Sequence, residues 1–315
     1  MRVFVTGASG WIGSAVVPEL IGAGHEVLGL ARSDASARAL TAAGAEVQRG
    51  DVDDDGALRE AAGKADAVIH LAFKHDLAFS GNFQGAVDAD RRTIELFGAA
   101  LAGSDRPFLI ASGTLGLTGS GTLGLTGSGA AATEADGLAD SAAGRALAEA
   151  VPRLANAHLT LALVERGVRA SVVRLPPTVH GAGDQGFLAM VIAAARQHGF
   201  AGYLGDGSNR WPAVHVQDAA RVFRLGLEQA PAGSVLHAVG DEGVALRAVA
   251  EVIGRQLGLP VAAVPDQAAG AHFGWLAGPL GLDNPTSAAR TQELLGWTPT
   301  GPGLLEDLAQ GHYFG

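Results

Sequence analysis

The sequence predicts a doubly wound parallel α/β fold with a smaller C-terminal unit. Three observations carry this. Short, nearly continuous apolar runs such as Ala67-Val68-Ile69 and Phe108-Leu109-Ile110 alternate with longer helix-period segments, the pattern of strands covered by helices on both faces. A glycine-rich stretch follows the first apolar run. After about Arg174 the alternation gives way to a region punctuated by proline and glycine.

Taken in order, strands are expected at Arg2–Thr6, Glu26–Ala31, Ala45–Arg49, Ala67–Leu71, Phe108–Ser112, Ala170–Arg174 and Val235–Ala238. Helices are expected near Trp11–Ala23, Ser36–Ala43, Asp54–Ala62, Gln84–Ala102, Pro152–Arg166 and Gln217–Gln229. Asp53-Asp54-Asp55 places carboxylates at a helix start, where they cap free amides and meet the positive end of the dipole. Pro152 suits a first helical turn, because its missing N–H would have no partner there. Residues 112–119 and 120–127 repeat SGTLGLTG identically at the end of the fifth strand. A tolerated surface insertion is the expected reading of this duplication, with a remodelled active-site loop as the alternative.

Composition narrows the function. Hydrophobic residues make up 48% of the 315 residues and charged residues 17%, which excludes intrinsic disorder. There is no cysteine, so disulfides, a thiol nucleophile and Cys-ligated metals are excluded. Net charge is −10 without a basic block, and nucleic acid is not an expected partner. No apolar run reaches the length of a membrane span, and MRVFVTGASGWIG lacks a signal-peptide cleavage site, so a cytoplasmic protein is expected. No His-x₃-His or carboxylate spacing indicates a metal. Ser112-Gly113 lacks the G-x-S-x-G elbow of a hydrolase.

The stretch Thr6-Gly7-Ala8-Ser9-Gly10-Trp11-Ile12-Gly13 lies between the first strand and the first helix, the context that makes a glycine triplet a dinucleotide-binding loop. Gly7 allows the tight turn, Gly10 lets backbone approach a pyrophosphate, and Gly13 lets the helix pack close to the sheet. An acidic residue at the end of the second strand would accept from the ribose 2′-hydroxyl of NAD(H). Ala31 stands there instead, followed by Arg32 and Ser33, which offer donors to a 2′-phosphate. NADP(H) is therefore expected over NAD(H), with Asp51 and Val52 flanking the adenine. The expected division is a Rossmann domain of residues 1–175 and about 210–240, and a substrate domain of about 176–209 and 241–315.

At this level the chain resembles the extended short-chain dehydrogenase/reductase superfamily of the NAD-dependent epimerase/dehydratase type. TGASGWIG is similar to its TGxxGxxG loop, and Asp51-Val52 to its adenine-side pair. His70-Leu71-Ala72-Phe73 resembles the HLAA segment after the fourth strand, and Leu109 to Thr114 its fifth strand, with Thr114 in the place of the catalytic Ser/Thr. Arg174-Leu175-Pro176-Pro177-Thr178-Val179-His180-Gly181 resembles the RPxxVYG turn that lines the nicotinamide, and Val214 to Ala220 the HVxDxA element. The resemblance implies Leu71, Ala72, Phe73 and Pro176 as cofactor contacts.

The same resemblance implies a catalytic Tyr with a Lys four residues later, and this chain lacks both. Its tyrosines are Tyr203 and Tyr313 and its lysines Lys64 and Lys74, so no register restores the pair. Glu149 and Arg153 fall near the two positions. Arg153 retains donors for a ribose or phosphate but cannot titrate, and an ordinary i, i+4 salt bridge on one helix face is the alternative for the two. The proton donor must then be sought among the histidines, of which His75, His180 and His215 are the candidates beside Thr114. The expectation is an oxidoreductase reducing a carbonyl-type group on a small molecule. A non-catalytic dinucleotide sensor and a non-redox lyase or isomerase are the rivals, and a homodimer is left open.

Overall fold

A computed structural model of the chain describes residues 1–115, 117 and 129–315. Twelve strands are described: β1 (Arg2–Thr6), β2 (Glu26–Ala31), β3 (Glu46–Arg49), β4 (Ala67–His70), β5 (Pro107–Gly113), β6 (Arg169–Leu175), β7 (Thr178–His180), β8 (Ala201–Leu204), β9 (Arg210–His215), β10 (Val235–His237), β11 (Asp241–Ala245) and β12 (Val261–Val264). The helices in chain order are α1 (Gly13–Gly22), α2 (Asp34–Ala42), α3 (Asp55–Lys64), α4 (His75–Phe79), α5 (Phe83–Leu101), α6 (Ala142–Ala150), α7 (Pro152–Ala162), α8 (Phe187–His198), α9 (Val216–Gln229), α10 (Leu246–Leu257), α11 (Asp266–Phe273), α12 (Ala277–Leu280), α13 (Ala289–Leu295) and α14 (Leu304–Ala309).

The main sheet has the order β10-β6-β5-β4-β1-β2-β3, and every pairing in it is parallel. Strand order reverses between β1 and β4, where Thr6 stands opposite His70. Ligands bind at the carboxyl ends of strands at such a switch point. The apolar runs expected as strands lie in this sheet because both its faces are covered. On one face Val16, Leu20, Phe223 and Leu227 of α1 and α9 form a core with Trp297. On the other Leu58, Ile94, Phe97 and Leu154 pack from α3, α5 and α7. Phe97 is fully buried and meets Phe4 and Phe108 edge-on at 5.9 and 5.7 Å, so truncation to Ala would cost about 3–5 kcal/mol.

The remaining elements gather around a three-stranded sheet, β11-β9-β7, and a two-stranded sheet, β12-β8. Two apolar clusters serve them, one including Leu188, Ile192, Ile253 and Leu308 and the other Trp211, Phe273, Leu276 and Leu280. Among the described residues no helix is long and apolar enough to cross a membrane.

Local chemistry behaves as read. Asp54 caps α3 by accepting from Ala57 N at 3.0 Å, and Pro152 begins α7. Two expectations change. The helix expected over Pro152–Arg166 ends at Ala162, continues as a 3-10 turn over Leu163–Arg166, and stops at Gly167 with φ +70°. A separate helix, α6, precedes it, because the residue before a proline is pushed out of the helical region. Val151 has φ −121° and ψ 86° and breaks the helix between Glu149 and Arg153. The second SGTLGLTG copy, with Thr122, lies outside the described residues.

Candidate active site

β1 delivers the chain to a sharp turn at Gly7, with φ +65°. A Cβ there would lie 2.7 Å from Ala72 N and 2.9 Å from Leu71 C, so only glycine lets the turn rest against the segment leaving β4. At Gly13 a Cβ would collide with the Gly7 carbonyl oxygen and lie 2.7 Å from Ala8 C. Gly10 N closes the turn on Gly7 O at 2.9 Å, and Ser9 is exposed beside it. Trp11 Nε1 donates to Val179 O at 2.8 Å, fastening the loop to β7. Ile12 leads into α1, where Ser14 N already bonds Gly10 O at 2.8 Å and Ala15 N bonds Ile12 O at 3.1 Å, so the glycine turn runs directly onto the positive end of the helix dipole. Such a cradle fits a pyrophosphate.

A buried relay supports this turn. Thr6 Oγ1 lies 2.6 Å from His70 Nδ1, and His70 Nε2 lies 3.1 Å from Asp90 Oδ1. Asn156 Nδ2 donates to Asp90 Oδ2 at 2.7 Å and to Val87 O at 3.1 Å. Burial pushes the Asp90 carboxyl up, but the hydrogen bond and charge of His70, the charge of Arg153 and the Asn156 bond outweigh it and hold the group below its ordinary value. An ionised Asp90 only accepts, so His70 Nε2 carries the proton it donates, which leaves Nδ1 against the Thr6 hydroxyl. Thr6 Oγ1 is in turn 3.4 Å from Ala72 N. The relay thus fixes both sides of the cradle.

At the adenosine end Arg32 is exposed and lies 3.8 Å from Asp76. The Ser33 hydroxyl caps α2, accepting from Ser36 N at 3.1 Å and donating to Ser36 Oγ at 3.0 Å. Asp51 accepts from Asp53 N at 3.3 Å, and Val52 packs against the core beneath. Lys74 pairs with Asp53, which it holds below the usual carboxylate range.

At the other end, Leu71 N bonds Thr6 O at 3.2 Å, and Phe73 carries the Arg153 guanidinium 4.3 Å above its ring. Arg153 Nη2 donates to Ala111 O on β5 at 3.0 Å. The i, i+4 pair with Glu149 is not formed: Glu149 is exposed on α6 while Arg153 opens α7 and turns to β5. His75 begins α4 with its ring 5.2 Å from Phe73, and burial together with the Arg153 charge lowers its pKa below 6.5. Thr114, fully buried, bonds Leu175 O through its amide at 3.0 Å and accepts from Asn284 Nδ2 at 3.4 Å. Pro176 follows directly on Leu175.

The other two candidate histidines form a second group. His180 is fully buried with Nδ1 2.8 Å from Asp307 Oδ2, and its ring is 5.5 Å from that of His215. His215 caps α9, and burial, then the neighbouring His180, lowers its pKa. Tyr313 joins them, accepting from Gly181 N at 3.1 Å and donating to Asp184 at 3.0 Å. The structure therefore brings Thr6, Gly7, Leu71, Ala72, Phe73, His75 and Arg153 into one arrangement, and places His180 and His215 with the C-terminal tail. Asp90, Asn156 and Asn284 escaped the sequence reading. Their partners lie 20, 66 and 170 residues away, and no local pattern announces them.

A profile of the NAD dependent epimerase/dehydratase family matches residues 3–87, the span from β1 into α5. An uncharacterized protein of Schizosaccharomyces pombe is 44% identical over 318 residues, covering all of both chains. The chain belongs to the NAD-dependent epimerase/dehydratase family. This family member is also 28% identical over 283 residues, 87% of this chain and 80% of the other, to 4-hydroxy-2-methyl-3-oxo-4-farnesyl-3,4-dihydroquinoline-1-oxide ketoreductase of Stigmatella aurantiaca. In fold it matches a dTDP-glucose 4,6-dehydratase of Streptomyces venezuelae with NAD bound, at a TM-score of 0.74 and 20% identity over 100% of this chain and 97% of that one. The helix that resemblance assigns to a Tyr–Lys pair is broken at Val151-Pro152 and carries Glu149 and Arg153.

Proposed function

We propose that the protein is an NADP(H)-preferring oxidoreductase that reduces a carbonyl-type group on a small organic molecule without a Tyr–Lys pair. The observation that carries this reading is the convergence of Phe73, His75 and Arg153 beside the glycine cradle, at the carboxyl ends of β4 and β5. Similarity to a ketoreductase and to a structure holding NAD supports it. When bound, a reduced nicotinamide supplies the hydride equivalent. The glycine turn and α1 hold the pyrophosphate, Arg32 and the start of α2 face the 2′-phosphate, and Arg153 donates toward the nicotinamide ribose.

In this reading His75 delivers the proton to the substrate oxygen, and Thr114 polarises that oxygen through its hydroxyl hydrogen. Phe73 and Phe79 flank the His75 ring at 5.2 and 5.7 Å. His180 and His215 fasten the C-terminal tail instead of meeting substrate. The test is substitution of His75 by Gln, which leaves NADPH affinity within about twofold and lowers kcat/KM for carbonyl reduction by about 10²–10⁴-fold. Unchanged turnover would remove His75 from the mechanism.

A further inference from the structure

Tyr313 lies at the opposite end of the chain from the glycine loop, yet its hydroxyl is two contacts away from it. Residues 181–184 form a turn after β7, closed by Asp184 N on Gly181 O at 3.1 Å. A Cβ at Gly181 would lie 3.6 Å from Trp11 Cη2, and one at Gly183 would lie 3.7 Å from Trp11 Cζ3. The turn therefore runs along the six-membered rim of the indole. Trp11 Nε1 donates to Val179 O, just before the turn, at 2.8 Å.

The Tyr313 hydroxyl ties both ends of this turn. It accepts from Gly181 N at 3.1 Å and donates to Asp184 Oδ2 at 3.0 Å. Gly181 and Asp184 are buried, so losing the phenol oxygen would strand a backbone donor and leave a carboxylate oxygen without its partner. Burial, then the Asp184 charge, pushes the hydroxyl pKa up, so the phenol keeps the proton it donates. The tail that carries it is anchored independently. Tyr313 and Phe314 pack against the cluster that includes Ile192, Ile253 and Leu308, Arg196 Nη2 donates to Phe314 O at 3.0 Å, and Asp307 of α14 meets His180 at 2.8 Å. The hydroxyl is thus a fixed point against which the turn, and then the indole, are set. Trp11 directly follows Gly10, whose amide closes the glycine loop on Gly7 O at 2.9 Å. Where the indole is held decides where the backbone from Gly10 to Ile12 points.

We infer that Tyr313 is a positioning residue for the glycine loop: acting through the turn at 181–184, its hydroxyl seats the Trp11 indole and so holds the loop backbone in the shape that receives a pyrophosphate. The inference rests on the dinucleotide-binding reading for what the loop receives, and not for the clamp itself.

Equilibrium binding and Trp11 emission test this on the full chain. NADPH affinity, by calorimetric titration, should fall about three- to tenfold in Tyr313→Phe, which keeps the packed ring and loses the hydroxyl. Tyr203→Phe, the same change on β8, should stay within about twofold. In a Trp11→Phe background, Tyr313→Phe should cost less than about twofold, because the turn then has no indole to seat. The emission of Trp11 is read without cofactor as the parent spectrum minus that of Trp11→Phe. It should move to longer wavelength when the same difference is taken in the Tyr313→Phe background. Asp184→Ala, which frees the hydroxyl at the other end of the turn, repeats both measurements if Tyr313→Phe does not fold. Unchanged Trp11 emission in Tyr313→Phe overturns the inference. So does NADPH affinity equal to the parent's, or a loss of affinity as large without the indole as with it. Shifted Trp11 emission in a chain that binds no dinucleotide sustains the clamp and removes the dinucleotide reading.

Discussion

Replacing Arg153 by Met separates two jobs that the structure gives one guanidinium. Met keeps the apolar stem over Phe73 and removes the charge. Arg153 and His75 flank the same Phe73 ring at 4.3 and 5.2 Å, which puts the two cations within about 10 Å of one another. At about 8 Å their repulsion is worth about 0.5 kcal/mol with water-like screening and about 2 kcal/mol at an effective dielectric of 20. Burial and this repulsion both lower the His75 pKa from 6.5, so the protonated donor is lost at a lower pH than in a free imidazole. Reductive kcat/KM should therefore decline with rising pH along a limb centred below 6.5. Arg153→Met removes the repulsion, raises the His75 pKa, and moves that limb to higher pH. It also removes a charge-assisted donor from the ribose side, worth about 1.5–3 kcal/mol, so NADPH affinity should fall about 10- to 150-fold. The assay is kcat/KM from about pH 5 to 9 for the parent, Arg153→Met and His75→Gln, with NADPH affinity measured alongside. A limb that stays fixed or moves to lower pH in Arg153→Met refutes the coupling. A limb that persists in His75→Gln refutes the donor.

Three further outcomes are expected. NADPH should bind at least about tenfold tighter than NADH, and Arg32→Ala should erase most of that difference, as calorimetry with both cofactors would record. Gly13→Ala drives a methyl group into the Gly7 carbonyl, so dinucleotide affinity should fall at least about 30-fold, or about 2 kcal/mol, and unchanged affinity would place the pyrophosphate elsewhere. Burial, then the Arg174 charge, pushes the His237 imidazole from 6.5 down to about 3. Above pH 6.5 neither the folded nor the unfolded ring carries a proton and the group is silent; between 6.5 and about 3 only the unfolded chain takes one up. Urea-unfolding stability should fall across that window at about 1.4 kcal/mol per pH unit from this group, and His237→Gln should flatten the slope.

The main sheet was legible because burial on both faces writes most of its strands as apolar runs, the edge strand β3, Glu-Val-Gln-Arg, being the exception, and six helices between them carry the 3.6-residue period. Strands outside it did not announce themselves. β7 is three residues, and β8 reads Ala-Gly-Tyr-Leu, with neither alternation nor length to separate it from a loop. α10, Leu-Arg-Ala-Val-Ala-Glu-Val-Ile, does carry an amphipathic pattern and was open to reading. In the site, the glycine turn was legible because its chemistry is local. The Thr6–His70–Asp90–Asn156 relay was not, because a buried Asp or Asn inside a helix looks like any polar residue until the fold supplies its partner. In the sequence Pro152 marks only where a helix starts. Its larger effect is to separate Glu149 from Arg153, which only the broken helix reveals.

The central claim is tested most directly by following NADPH oxidation at 340 nm with a panel of ketones and aldehydes, with NADPH and NADH affinities measured on the same preparation. Turnover with at least one member of the panel is expected, with NADPH favoured over NADH by at least about tenfold in kcat/KM. Tight NADPH binding with no carbonyl compound reduced would contradict it.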